Sequence, residues 1–163
     1  MSAKKTAIIV LGVVALGVLW YLFRPELLFV DKTVNEELPT ANNEMPSEVA
    51  LLAQGKFRGI AHETSGSALI YQYPDGRRTL RLMDFATSNG PDVHVYLVAL
   101  ADAPDDASVK NAEIIDLGSI KGNIGDQNYE LPADVDLNKF RSVSIWCKRF
   151  GVNFGAAPLA QEE

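Results

Sequence analysis

The chain has 163 residues, 47% of them apolar and 22% charged, with 15 Lys and Arg against 21 Asp and Glu and a net charge of −6. That apolar content supports one ordinary domain with a real core and excludes global disorder. Setting aside the first 24 residues removes Lys4, Lys5 and Arg24, leaving 12 cations against all 21 acids, a net of −9. No arginine-rich run remains, and phosphate binding needs clustered cations, so nucleic acid is not an expected partner. An acidic exterior serves solubility and repels anionic lipid heads.

Ala7 to Phe23 is a run of 17 residues without a charge, preceded by Lys4 and Lys5 and closed by Arg24-Pro25. At about 1.5 Å per residue it lies at the short end of what crosses a hydrocarbon core of about 30 Å. Trp20 and Tyr21 fall near its outer end, where amphipathic rings favour the interface, and Leu27 to Val30 extend the apolar contact beyond the proline. A cleavable signal peptide would show a shorter apolar stretch and small residues before the cut. Here the run ends in Leu19-Trp20-Tyr21-Leu22-Phe23 with no Ala-x-Ala pattern, which favours an uncleaved anchor. Lys4 and Lys5 outweigh Arg24, putting the N-terminus in the cytoplasm and the rest in the periplasm or cell exterior. The reading is thus residues 1–24 as a single-pass anchor touching the membrane through 7–23, 25–46 as a linker, 47–160 as the folded domain and 161–163 as a tail.

Asp31 to Met45 is polar and aperiodic, the pattern of a solvated spacer. Pro46-Ser47 as a cap, Glu48, then Val49, Leu51 and Leu52 before Gly55 predict a short helix. Strand signals follow. Lys56 to His62 is a first strand, and Ser67 to Tyr73 and Thr79 to Phe85 flank the hairpin turn Pro74-Asp75-Gly76-Arg77. Ser88-Asn89-Gly90-Pro91-Asp92 makes a rigid corner feeding the strand Val93 to Leu100, and Ala101 to Ser108 reads as a surface loop. Ile114 to Leu117 and Gln127 to Leu131 are shorter strands around Gly118, Gly122 and Gly125. Asp134 to Lys139 allows one helical turn before the last strands, Ser142 to Lys148 and Val152 to Ala156. About eight short strands with regular turns and almost no helix predict an all-β fold, an antiparallel β-sandwich or small barrel, after one N-terminal transmembrane helix.

The chain holds one cysteine, Cys147. Period two puts it on one face with Val143 and Ile145, opposite Ser142, Ser144, Trp146 and Lys148, and so toward the core. Lys148 and Arg149 follow it, and a positive field favours thiolate where apolar burial favours the neutral form; the sequence leaves the balance open. A lone cysteine cannot form an internal disulfide in an oxidising compartment, so it is reactive, intermolecular or packed as a small hydrophobe.

Several ordered stretches resemble a known family. Gly55-Lys56-Phe57, His62 with Thr64, Gly66 and Ala68, and Leu80-Arg81-Leu82 look like its opening, and Thr87 to Leu97 is similar to its most recognisable internal motif. Asp116-Leu117-Gly118, Lys121-Gly122, Gly125 to Tyr129 and Pro132 follow in order. Val143 to Phe150 and Phe154 to Leu159 match its C-terminal signature. The resemblance, over about residues 50 to 160, is to the DM-thirteen domain of bacterial membrane-anchored proteins, shared with animal cell-surface proteins of the Skeletor and Knickkopf type. It implies electron transfer centred on a characteristic cysteine, here Cys147, acting as a bare thiol or as ligand to a prosthetic group such as haem.

His62 and His94 are the only imidazoles. With Cys147, His62 at a strand end is the candidate second ligand of a haem; Met83 and Met45 are weaker ones, and no cofactor is required. Cys-x-x-Cys-His is absent, which excludes covalent c-type attachment, and these ligands fall short of a structural zinc site, so no metal is assigned. A calcium site at Asp84, Asp92 or Asp126 fits no loop template, and hydrolase and phosphate-loop motifs are missing. The expected function is therefore a membrane-anchored redox carrier working through Cys147 with a redox protein partner. The alternative is a binding or scaffolding sandwich that uses Tyr71, Tyr73 and Trp146 as exposed aromatics, with Cys147 packed.

Overall fold

The computed structural model describes residues 3–23, 30–39 and 49–161. Ala3–Phe23 form one helix, α1, apolar on every side and exposed over residues 3–22. It has the length and composition to cross a membrane, features that a signal sequence shares. Arg24, Pro25, Leu27 and Met45 lie outside the described residues.

Ten strands follow among the described residues: β1 (Ala50–Lys56), β2 (Arg58–Gly59), β3 (Thr64–Gln72), β4 (Arg78–Thr87), β5 (Val93–Val98), β6 (Ile114–Ser119), β7 (Gln127–Leu131), β8 (Ser142–Cys147), β9 (Val152–Pro158) and β10 (Ala160–Gln161). A short helix, α2 (Asp106–Asn111), interrupts the link between β5 and β6. They form two antiparallel five-stranded sheets, ordered β10-β1-β3-β4-β7 and β2-β9-β8-β5-β6. The fold is the expected all-β sandwich behind one apolar helix. The two extra strands, β2 and β10, are two residues long and carry no alternation to read.

Period two explains the core. Ala68 and Ile70, Leu80 and Leu82, Val93, Val95 and Leu97, and Val143, Ile145 and Cys147 all turn inward into one cluster. Each large aliphatic side chain buried there contributes about 1.5–3 kcal/mol.

Four local expectations are corrected. Ala50–Lys56 is a strand, not the end of a helix, because it pairs with β3 and β10 and a short apolar run does not declare its period. Gly55 serves close approach there, since a Cβ would stand 2.0 Å from the Pro158 carbonyl oxygen. The first strand read over Lys56 to His62 is broken at Phe57, which turns into the core as the chain crosses from one sheet to the other. Ala101 to Ser108 is not all loop. The Asp105 carboxylate accepts from the Ser108 N–H at 2.7 Å while the Asp105 N–H donates to Ser108 Oγ, a capping box that starts α2.

The fourth concerns the spacer, which over residues 31–38 lies on the domain. The Val34 N–H donates to the Ile124 carbonyl, the Ile124 N–H to the Lys32 carbonyl and the Glu36 N–H to the Asp126 carbonyl. Thr33 pairs parallel with Ile124. Glycine makes room: a Cβ at Gly125 would lie 2.1 Å from the Val34 carbonyl oxygen. Asn123 accepts from the Lys32 N–H and donates to Asp31, while the Glu36 carboxylate receives Lys121 Nζ and the Asn128 N–H, both at 2.8 Å. Burial works against ionisation of Glu36, but these donors and the Arg81 charge outweigh it and hold its pKa below the usual value.

Two outcomes follow. Gly66 has φ +103, and a Cβ would lie 2.7 Å from the Met83 and Asp84 carbonyl oxygens at the bulge between β3 and β4, whereas Gly76 has φ +86 in open space. Denaturant unfolding is expected to show Gly66→Ala losing about 3 kcal/mol or more and Gly76→Ala about 1 kcal/mol. For the docked strap, Glu36→Gln is expected to cost about 1 kcal/mol at neutral pH. Because the folded-state pKa is depressed, this difference is complete above the unfolded value of 4.5 and vanishes as pH falls through the folded one. Acid titrations of stability for the two proteins should therefore converge.

Candidate functional site

Cys147 ends β8 on the inner face, as its alternation requires, with no exposed surface. Its cross-strand partners are Val93 on β5 and Val152 on β9, and it belongs to the same apolar cluster as Phe154. Among the described residues no hydrogen bond reaches its Sγ, so burial there disfavours a thiolate. The basic residues that follow aim elsewhere. Lys148 Nζ donates to Asp116 Oδ2 at 3.1 Å, and Arg149 donates to the Leu22 carbonyl in the last turn of α1.

A cleft of about 480 Å³ with a mixed polar and apolar lining opens at the same end of the sandwich. Residues 89–93 form one wall, residues 119–123 the other, and Val30 and Lys32 of the strap close one side. The corner is shaped for this close approach: a Cβ on Gly90 would meet Val93 Cγ2 at 2.6 Å and the Phe154 ring at 3.0 Å. Asn89 Nδ2 donates to the Val30 carbonyl at 3.1 Å and to Asp31. Val93 lines the cleft and is also the register partner of Cys147. Opposed residues on one face of an antiparallel pair have Cβ atoms about 5 Å apart, so the sulfur sits beside a valine that lines the cleft.

The predicted ligands do not converge. His62 is exposed in the loop after β2, with its ring on Phe154 at 3.9 Å between centroids, whereas Cys147 is fully buried. Met83 on β4 is half-buried in the other sheet. A porphyrin with Cys147 and His62 as axial ligands needs an open volume at the sulfur, and the packed cluster of Val93, Val152 and Phe154 fills that position. The residues as folded do not fit that group. Asp84, Asp92 and Asp126 do not form one cluster: Asp126 neighbours Asp84, receiving its N–H and Arg81, while Asp92 faces His94.

His94 anchors a network the sequence did not reveal. Its Nδ1 lies 2.8 Å from Asp116 Oδ1, and its Nε2 lies 3.1 Å from Asp92 Oδ1 and 3.2 Å from Ser119 Oγ. Burial alone would raise the Asp116 pKa, but His94, the Gly118 N–H and Lys148 overcome it and hold it low. The signal was half present, since Asp92, His94 and Tyr96 alternate onto one face. Asp116 and Lys148 arrive from distant strands.

Tyr96 stacks on Trp146 at 6.2 Å, and Lys110 of α2 lies over the indole at 5.7 Å. Trp146 is therefore buried, and Tyr73, after β3 in the other sheet, is buried too, which corrects their reading as exposed recognition aromatics; Tyr71 is half-buried. Sequence reasoning missed α2, the cover over this face. Asn153 ties that cover down: its side chain donates to the Ala103 carbonyl at 3.0 Å and accepts from Ser144 Oγ, while its N–H donates to Asp106.

With this geometry in place, the comparison with known families is decisive: residues 56–159 match the model of the family described as electron transfer DM13. The chain belongs to the electron transfer DM13 family. No curated protein and no solved structure matches the chain. The DM13 domain accounts for the sandwich from the end of β1 to the end of β9 and contains Cys147, His62 and His94, whereas α1 and the strap lie outside it.

Asn153 is expected to matter more for the fold than any surface residue of the site. Asn153→Ala strands the Ala103 carbonyl and the Ser144 hydroxyl in a buried layer and should cost about 2–3 kcal/mol in denaturant unfolding.

Proposed function

We propose that the protein is a membrane-anchored, extracytoplasmic electron-transfer module in which Cys147 acts as a bare thiol toward a redox protein partner. Family membership supports the electron-transfer role, α1 supports anchoring, and the balance of Lys4 and Lys5 against Arg24 supports an outward-facing domain. The observation that carries the choice of residue is the pairing of Cys147 with Val93, which sets the sulfur beside a side chain that lines an open cleft. Reaction requires the Asn89–Asp92 corner to move and Val93 to swing aside, a local opening far smaller than global unfolding.

A second reading, a scaffolding sandwich with Cys147 as a packed hydrophobe, draws support from the complete burial of the thiol and the absence of any polar contact to it. Thiol-reagent kinetics separate the two. Under the redox reading, wild-type Cys147 reacts in native buffer faster than the protein unfolds. Val93→Ala, at a stability cost of about 2 kcal/mol, should raise the native-state rate at least tenfold. Modification of the wild type only at the rate of global unfolding, with Val93→Ala no faster than its own unfolding, decides for the scaffold. An absorption band of haem in the purified chain would overturn the bare-thiol form instead.

A further inference from the structure

The topology gathers four connections at one end of the sandwich: residues 60–63, 88–92, 120–126 and 148–151. This is the end where β8 delivers Cys147 and where the cleft opens. The strap enters here too, fixed by Asn89 to the Val30 carbonyl and by Asn123 to Asp31.

Six residues, 24–29, join Phe23 at the end of α1 to Val30. The seven Cα steps they span cover at most about 25 Å. β4 alone, with ten residues, is about 33 Å long. A domain turned upside down would hold its strap end farther from the bilayer than the tether reaches.

Apolar exposure marks the same end. Outside α1, the large apolar side chains exposed among the described residues are Val30, at 59%, and Phe150, at 58%. Phe150 follows Lys148 and Arg149 in the turn after β8, and Arg149 donates to the Leu22 carbonyl at the end of α1. An aromatic ring beside basic residues is the composition favoured at a membrane interface. The opposite end presents the hairpin tip, where Asp75 and Arg77 pair with each other.

From this we infer that the sandwich stands on the bilayer surface by its Cys147 end, with Phe150 and Val30 in the interfacial layer. The cleft then opens at the lipid surface, and a partner that uses it is membrane-resident rather than freely diffusing. The inference rests on α1 being a retained anchor. The contact it describes is local and apolar, so it holds on neutral lipid despite the acidic exterior.

The test uses the full chain in nanodiscs of phosphatidylcholine carrying a headgroup quencher. A fluorophore is attached at Glu63→Cys, on the loop before β3, or at Asp75→Cys on the far hairpin. Both are made with Cys147→Ala, or with Cys147 retained should that variant not fold, since a surface thiol reacts ahead of a buried one. The expected result is several-fold stronger quenching at position 63 than at 75. That difference should shrink in Phe150→Asp and collapse when twenty flexible residues are inserted between residues 24 and 29. Equal or reversed quenching in a chain that floats with lipid overturns the inference and leaves the anchor standing. A chain that does not float with lipid overturns both.

Discussion

The pairing of β8 with β5 is the constraint on which the rest depends. It runs in unbroken register from Val98 opposite Ser142 to Val93 opposite Cys147, and it sets both faces of the central strand at once. The inner face supplies Val143, Ile145 and Cys147 to the main core; the outer face supplies Trp146 to a second cluster with Tyr96, Val98 and Val109. A one-residue slip would exchange those sets, driving serine hydroxyls into the core and the thiol under α2. Every residue of β8 is buried, so a shift in this ladder could not be absorbed at the surface.

Double-sided burial explains why the chemistry of Cys147 is a question of access. The cations that follow it in sequence are carried past the strand end and engaged by Asp116 and by the end of α1. A positive field near a thiol matters only when its carriers face the sulfur, and here they do not. What does lie near is a thin wall. Gly90 brings the corner so close that Val93 and the Phe154 ring fill the space a side chain would take. The corner residues of the strongest internal motif thus pack directly on Val93, the cross-strand neighbour of the cysteine.

Much of the sandwich was legible because alternation is a local code. β7 was read to the residue, β8 to within one, and the inward aim of Cys147 followed from counting by two. Failures occurred where the deciding interaction lies far along the chain. The strap is polar and aperiodic, and its stability comes from backbone hydrogen bonds to residues about ninety positions away, which leave no trace in its own composition. Ala50 to Lys56 carries a pattern that a helix and an edge strand share, and pairing with β3 chose between them. α2 was recoverable, since Asp105 and Ser108 have capping-box spacing. The candidate site was half legible: its cysteine and corner were visible, but the exposure of His62 on Phe154 and the full burial of Cys147 beside Val93 are properties of packing.

The strap changes what anchoring means for this domain. A spacer of twenty-two freely extended residues would span about 75 Å and let the sandwich sample any orientation above a bilayer. With residues 31–38 committed to the domain surface, the free length falls to the six residues before Val30. Besides the backbone bonds to Ile124 and Asp126, its first residues are held by Asn89 in the corner and Asn123 beside the cleft. Under the proposed anchoring, a force on the tether would reach the two walls of the cleft that Val93 lines. If α1 is retained as an anchor and Cys147 is the redox group, as proposed, those two asparagines would couple anchoring to access, because the strap they hold borders the corner beside Val93.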